Sequence, residues 1–236
     1  NALTRSTPTA LSTARYYLAA ASVGNYALFG GGRPDSSAVD AYSTSLTRSV
    51  PTALSQARRQ LNGASVGNYA LFGGGLYSNS GYSNDVDAYN ASLTRSLPSA
   101  LGEARYNLAA ASVGNYALFA GGAAYDDGAY SSSYLDAYNA SLTKTSKSLG
   151  MITSRGASAS VGSYALFASG RGASVRSVNT SLTTADIADL SRGRRNLSKA
   201  RESAESARAG DFLLFGGGMI STGNSAATNI VDAYTI

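Results

Sequence analysis

Ala111-Ser112-Val113-Gly114-Asn115-Tyr116-Ala117-Leu118-Phe119 stands unchanged at two other places in the chain, Ala21 to Phe29 and Ala64 to Phe72. A fourth copy, with Ser163 in place of the asparagine, runs from Ala159 to Phe167. A fifth survives as Ala209-Gly210-Asp211-Phe212-Leu213-Leu214-Phe215. Phe29, Phe72, Phe119, Phe167 and Phe215 therefore mark a period of about 47 residues, in the range of repeat architectures. Within the stretch, two short apolar segments flank Gly114-Asn115. Gly and Asn tolerate the positive φ of hairpin turns, so the unit reads as a tight β-hairpin. Its segments are apolar without clean alternation, which predicts burial on both faces.

Downstream of Gly121-Gly122, a polar stretch of variable length leads to Leu135-Asp136-Ala137-Tyr138, matched by Val39 to Tyr42 and Val86 to Tyr89. This predicts a third strand. Leu93-Thr94-Arg95-Ser96 is expected as a fourth, and Pro98 in the connection beyond it blocks continuation of the ladder. Four short strands per repeat, five times over, predict an all-β chain: a five-bladed β-propeller with four antiparallel strands per blade, one domain over residues 1–236. Asn1-Ala2-Leu3-Thr4-Arg5-Ser6 reads as a fourth strand without its first three, and Val231-Asp232-Ala233-Tyr234 as a third strand without its fourth. The ring is accordingly expected to close through the N-terminal strand, which completes the C-terminal blade.

The diglycines Gly31-Gly32, Gly74-Gly75, Gly121-Gly122 and Gly217-Gly218, the tyrosines Tyr42, Tyr89, Tyr138 and Tyr234, and an arginine before each first strand resemble the kelch repeat across essentially the whole chain. Leu3, Leu46, Leu93, Leu142 and Leu182 stand where that family carries tryptophan, and the fourth repeat has Ala168-Ser169-Gly170 at its diglycine position. The resemblance implies a binding propeller whose central mouth receives acidic peptides.

Composition removes whole classes of chemistry. The 236 residues contain no histidine and no cysteine, so Ser-His and Cys-His mechanisms, copper oxidation by histidine ligands and disulfide staples are excluded. No cofactor or metal is expected. The net charge of +5, from 19 basic and 14 acidic residues, is modest, and no apolar run approaches the ~20 residues of a membrane span. Neither a nucleic-acid partner nor membrane insertion is expected. A charged stretch from Asp186 to Arg208 mixes both signs and reads as a solvated insertion, with helical propensity over Ala185 to Leu190 and Leu197 to Ser206.

Two sets of residues are candidates for ligand binding. Arg15, Arg58, Arg105, Arg155 and Arg201, taken as equivalent spokes, are expected to converge at the channel mouth, where a guanidinium can pair a carboxylate bidentately. The competing role is structural, each arginine held by Asp40, Asp87, Asp136 or Asp232 one blade away. The second set is Tyr77, Tyr82, Tyr125, Tyr130 and Tyr134 in the long loops, which supply contact area at low entropic cost. The leading expectation is a non-catalytic module, monomeric as an isolated domain, that binds a protein or peptide, an acidic one among the candidates, on the face carrying the long loops, with a place in a larger cell-surface or virion fibre protein as the wider setting. A carbohydrate-binding module is the alternative, and a sugar epimerase-like enzyme ranks behind both.

Overall fold

Gly24, Gly67, Gly114, Gly162 and Gly210 hold φ between 51° and 58°, the left-handed conformation that a two-residue turn demands and that glycine adopts without strain. Each turn joins two antiparallel strands, as the repeated stretch predicts. The structure, a computed structural model, describes residues 5–77, 81–124, 131–151, 154–170, 173–186, 197, 203–220 and 226–235.

Repeat one contributes β1 (Ala19–Val23), β2 (Tyr26–Gly30), β3 (Val39–Ser43) and β4 (Arg48–Ser49), hydrogen-bonded in that order. In repeat two, β5 (Asn62–Val66), β6 (Tyr69–Gly73), β9 (Val86–Asn90) and β10 (Arg95–Ser96) form the same sheet, and the loop carries a small ladder of β7 (Leu76–Tyr77) and β8 (Gly81–Tyr82). Repeat three is β11 (Ala109–Val113), β12 (Tyr116–Ala120), β13 (Tyr134–Asn139) and β14 (Lys144–Ser148). Repeat four is β15 (Ser158–Val161), β16 (Tyr164–Ala168), β17 (Val175–Asn179) and β18 (Thr184–Asp186). Repeat five has three strands among the described residues, β19 (Glu205–Ala209), β20 (Phe212–Gly216) and β23 (Val231–Thr235), with β21 (Met219–Ile220) and β22 (Ala226–Ala227) paired in its loop. The chain is thus all-β, built from successive antiparallel sheets of one design.

The register is conserved along with the sequence. Phe29, Phe72, Phe119 and Phe215 face Asp40, Asp87, Asp136 and Asp232 across the second and third strands, while Phe167 faces Arg176. Adjacent repeats pack face to face. Val39, Ala41 and Leu28 of repeat one meet Leu54, Leu61, Ala70, Phe72 and Tyr89 of repeat two in one buried cluster, and the equivalent residues cluster at each following junction through repeat five. Phe72, Phe119, Phe167 and Phe215 are all fully buried there. A Cβ added to Gly30 would touch the Phe72 ring at 3.2 Å and one on Gly73 the Phe119 ring at 3.1 Å, which accounts for the small residue ending the second strand.

Several expectations are corrected. The first strands are not buried on both faces: β1 is covered at Ala19 and Val23 but exposed at Ala20 and Ser22. Serine hydroxyls on that exposed side link successive first strands, Ser65 Oγ donating to the Ser22 carbonyl and Ser112 Oγ to the Ser65 carbonyl, each at 2.7 Å. Leu46, Leu93, Leu142 and Leu182 do not open the fourth strands. They hold φ of 58° or 59° in the preceding turn, because the Asn90 side chain accepts from the Ser92 and Thr94 amides and wraps the link, as Asn139 and Asn179 do in their repeats. Ala185 and Asp186 lie in β18, and Glu205 and Ser206 in β19, where cross-strand pairing overrides helical propensity; residues 187–196 and 198–202 lie outside the described residues.

Arg5 and Ser6 lie in no strand, and the other four residues of the expected closing strand fall outside the described residues. The outer faces of repeats one and five are correspondingly uncovered. Val231 is 60% exposed, whereas its counterparts Val39, Val86, Leu135 and Val175 are buried. Phe29 is half-buried, and nothing lies within 4 Å of a Cβ built on Gly210.

Candidate functional site

The expected arginine ring divides into two groups. Arg15, Arg58 and Arg105 have fully buried side chains, each in an ion pair with the aspartate of its own third strand: Asp40 at 2.7 Å, Asp87 at 2.6 Å and Asp136 at 2.8 Å. The same guanidinium Nη2 donates to the carbonyl of Phe29, Phe72 or Phe119. Ser12 and Ser55 add a hydroxyl and an amide donor to the carboxylates of Asp40 and Asp87. Charge buried this completely is tolerable because it is paired and hydrogen-bonded. These three arginines therefore tie the incoming connection to their own sheet and do not reach a surface where a ligand could bind. The partner aspartate belongs to the same repeat, not to the next one.

The Asp40 carboxyl shows the balance. Burial disfavours its charge, but the Arg15 guanidinium and the Ser12 amide and hydroxyl outweigh that and hold it below the usual carboxylate range. In the fourth repeat both partners change together. Arg176 occupies the aspartate position and Thr153 the arginine position; Arg176 turns to Asp186 at 3.2 Å and to the Gly150 carbonyl at 2.9 Å, with part of its side chain in solvent.

Arg155 is not the fourth member of that buried set. It aligns two residues later, with Tyr17, Gln60, Asn107 and Ser203, and all five positions share one backbone geometry. Their φ values are 56°, 53°, 52°, 54° and 55°, left-handed although none is glycine. Each is tied to the one before by a main-chain hydrogen bond: Gln60 N–H to Tyr17 C=O at 2.9 Å, Asn107 N–H to Gln60 C=O at 3.0 Å, Arg155 N–H to Asn107 C=O at 3.0 Å and Ser203 N–H to Arg155 C=O at 3.1 Å. A non-glycine residue held left-handed carries strain of about 1 kcal/mol or more, a pattern that concentrates at functional sites. These residues line a cavity of about 720 Å³ to which all five repeats contribute. Arg155, Ser203 and Tyr17 are exposed, Gln60 and Asn107 half-buried, and Asn62, Ser158, Glu205 and Ser206 supply further polar groups to the wall.

The tyrosine candidates do not gather there. Tyr82 stacks on Tyr106 with centroids 5.6 Å apart, beside Leu76 and Ala123, in a small cluster that seats one loop on the next repeat. Tyr77 is half-buried in β7 and Tyr134 exposed at the start of β13. Tyr125, Tyr130 and Arg201 lie outside the described residues. Sequence reasoning missed Tyr17, Gln60, Asn107 and Ser203. The sequence carried no pattern for them: the position differs in every copy, the residue before it varies as well, and the arginine at Arg155 looks like the residue that stands two places earlier in the first three copies. Among the described residues, no group of acidic side chains has the arrangement to hold a metal ion, and no helix is long and apolar enough to cross a membrane.

No family model matches the chain, and no curated protein matches it. Among solved structures it is similar to one described as "Structure of YjhT", with a TM-score of 0.64 and 13% identity over 97% of each chain. At that identity the likeness is one of fold alone.

Proposed function

We propose that the chain is a kelch-like β-propeller module, each of its five repeats a blade, that binds a protein or peptide partner at the opening ringed by Tyr17, Gln60, Asn107, Arg155 and Ser203. One observation carries this reading: five equivalent positions share a strained backbone conformation and present five different side chains around one cavity. A purely structural position would repeat its residue, as Arg15, Arg58 and Arg105 do. The wall offers amide and hydroxyl groups, an aromatic face at Tyr17 and the Arg155 guanidinium, which suits an extended polar segment bearing a carboxylate. Glu205 is the one carboxylate among the described lining residues, so no pair of carboxylates assembles there, and an enzymatic reading gains no support.

The test is a peptide array read with the wild type and with Gln60→Gly, Asn107→Gly and Arg155→Gly, changes that remove side chains while keeping the left-handed backbone. Peptides captured by the wild type should be lost from these variants, and acidic ones from Arg155→Gly first. Capture that persists in all three, or that Tyr134→Ala alone abolishes, overturns the assignment. Tyr17 beside two amides also suits a sugar ring. A glycan array that gives hits where the peptide array gives none would move the same opening to carbohydrate.

A further inference from the structure

We propose that the uncovered faces of repeats one and five form a seam that takes one further repeat of the same kind. At each internal junction, a face of valine, alanine and leucine on the earlier repeat packs around the phenylalanine of the later one, which is flanked by Leu, Leu, Ala and Tyr in repeats two and three, by Leu149, Met151, Ala165 and Val178 in repeat four, and by Leu197, Ala204, Leu213 and Tyr234 in repeat five. Repeat five presents the first kind of face bare: Val231 and Ala233 are exposed and Leu214 is half-buried, although Leu28, Leu71, Leu118 and Leu166 are all buried. Repeat one presents the second kind bare, with Leu11, Leu18, Phe29 and Tyr42 partly open and Ala27 exposed. The two faces are the two halves of an interface already formed four times.

Among the described residues they do not close on each other. The four main-chain bonds linking Tyr17 to Ser203 through Gln60, Asn107 and Arg155 have no fifth that returns from Tyr17 to Ser203 among the described residues. Five junctions of a fifth of a turn each would have joined the ends; with no fifth link among the described residues, and with Val231 exposed and Phe29 partly open, a gap lies between repeats one and five. All five repeats line one cavity, so the arc curves round a common axis and the gap opens onto the same opening.

A whole second copy is a poor occupant. Its first repeat would fit, but its second would run into repeat one of the copy it had joined. A single repeat fits on both sides. Its Phe and Tyr face covers Val231, and its Val and Ala face covers Phe29. This inference rests on the repeats being blades but not on the opening binding a partner.

The experiment joins a copy of residues 90–138 directly after Tyr234 and uses Val231→Cys as reporter, the chain having no cysteine of its own. In the five-repeat protein that thiol should react rapidly, and the protein should run as a monomer. In the six-repeat protein labelling should slow by about 100-fold and the melting temperature should rise by about 10 °C or more. Phe119→Asp within the added copy should cancel the protection of the thiol. Fast labelling in the six-repeat protein overturns the proposal. So does a slow-labelling five-repeat monomer, which would mean that the ends close on each other, or a slow-labelling five-repeat dimer, which would make a second copy the occupant.

Discussion

Arg58 Nη2 lies 2.6 Å from Asp87 Oδ2 and 3.1 Å from the Phe72 carbonyl oxygen, with both charged side chains wholly excluded from solvent. The connection entering repeat two is thereby fastened to that repeat's second and third strands by one guanidinium. Removing one partner leaves a buried charge unpaired, so Asp87→Ala should lower the unfolding free energy by about 3–5 kcal/mol. Arg176→Ala, which breaks the partly solvated pair with Asp186, should cost less than about 1 kcal/mol. Urea titrations of the two variants make the comparison, and similar losses would contradict the structural role given to the buried set.

The left-handed positions should separate stability from binding. Asn107→Gly relieves the strain at φ 52° and should leave the melting temperature unchanged or higher, while Asn107→Val, β-branched in the same conformation, should destabilise by about 1–2 kcal/mol. Calorimetry reads both variants, and ligand capture by the glycine variant should fall although it is at least as stable as wild type.

Acid should act through Asp40. Its folded pKa is depressed, so the stability it contributes is fully present above the ordinary carboxylate value of about 3.9 and is lost as pH falls through the folded value. Unfolding measured from pH 6 down to pH 2 should show this limb, and Asp40→Asn should flatten it.

Alkali should act through Tyr89 and Tyr138. Burial, and then the negative charge of Asp87 or Asp136, raises both phenols well above their ordinary value. Each donates its hydroxyl to a main-chain carbonyl, Tyr89 to Thr52 at 2.7 Å and Tyr138 to Ser99 at 2.6 Å. Their contribution is fully present below the unfolded value of about 10 and is lost as pH rises through the folded one. Absorbance near 295 nm should show these two ionising only as the protein unfolds, with Tyr89→Phe losing one of the late titrations.

Equivalent phenylalanines should differ in cost. Phe72→Ala empties a fully buried junction and should destabilise by about 3–5 kcal/mol, and Phe29→Ala, on the uncovered face of repeat one, by clearly less. Equal losses would show that the face around Phe29 is covered in solution.

What the sequence made legible was whatever repeats with its chemistry intact. Gly114-Asn115 announced its hairpin because few dipeptides accept that turn, and Leu135 to Tyr138 announced a strand by recurring at a fixed distance from the phenylalanine. The fourth strand begins later than Leu93, since an asparagine side chain that accepts from amides two and four residues on folds the link, a local side-chain-to-backbone effect that strand propensity does not carry. The arginine spokes were judged by residue type, and type misled at Arg155, where two residues of displacement separate an interior ion pair from an exposed wall. The opening itself was invisible for a physical reason: side chains that differ from copy to copy leave no pattern, and only the backbone that holds them is constant.

The bonds that bind Tyr17, Gln60, Asn107, Arg155 and Ser203 into a line are made entirely by main-chain N–H and C=O groups. Branching at Cβ apart, folding is therefore largely indifferent to what each of those residues carries beyond its Cβ. Every duplication of the unit copies a finished frame together with one vacant choice of side chain, and a single codon change then alters the chemistry of the opening. Likeness of the copies in their frame and diversity at the opening are, on that account, two records of the same inheritance.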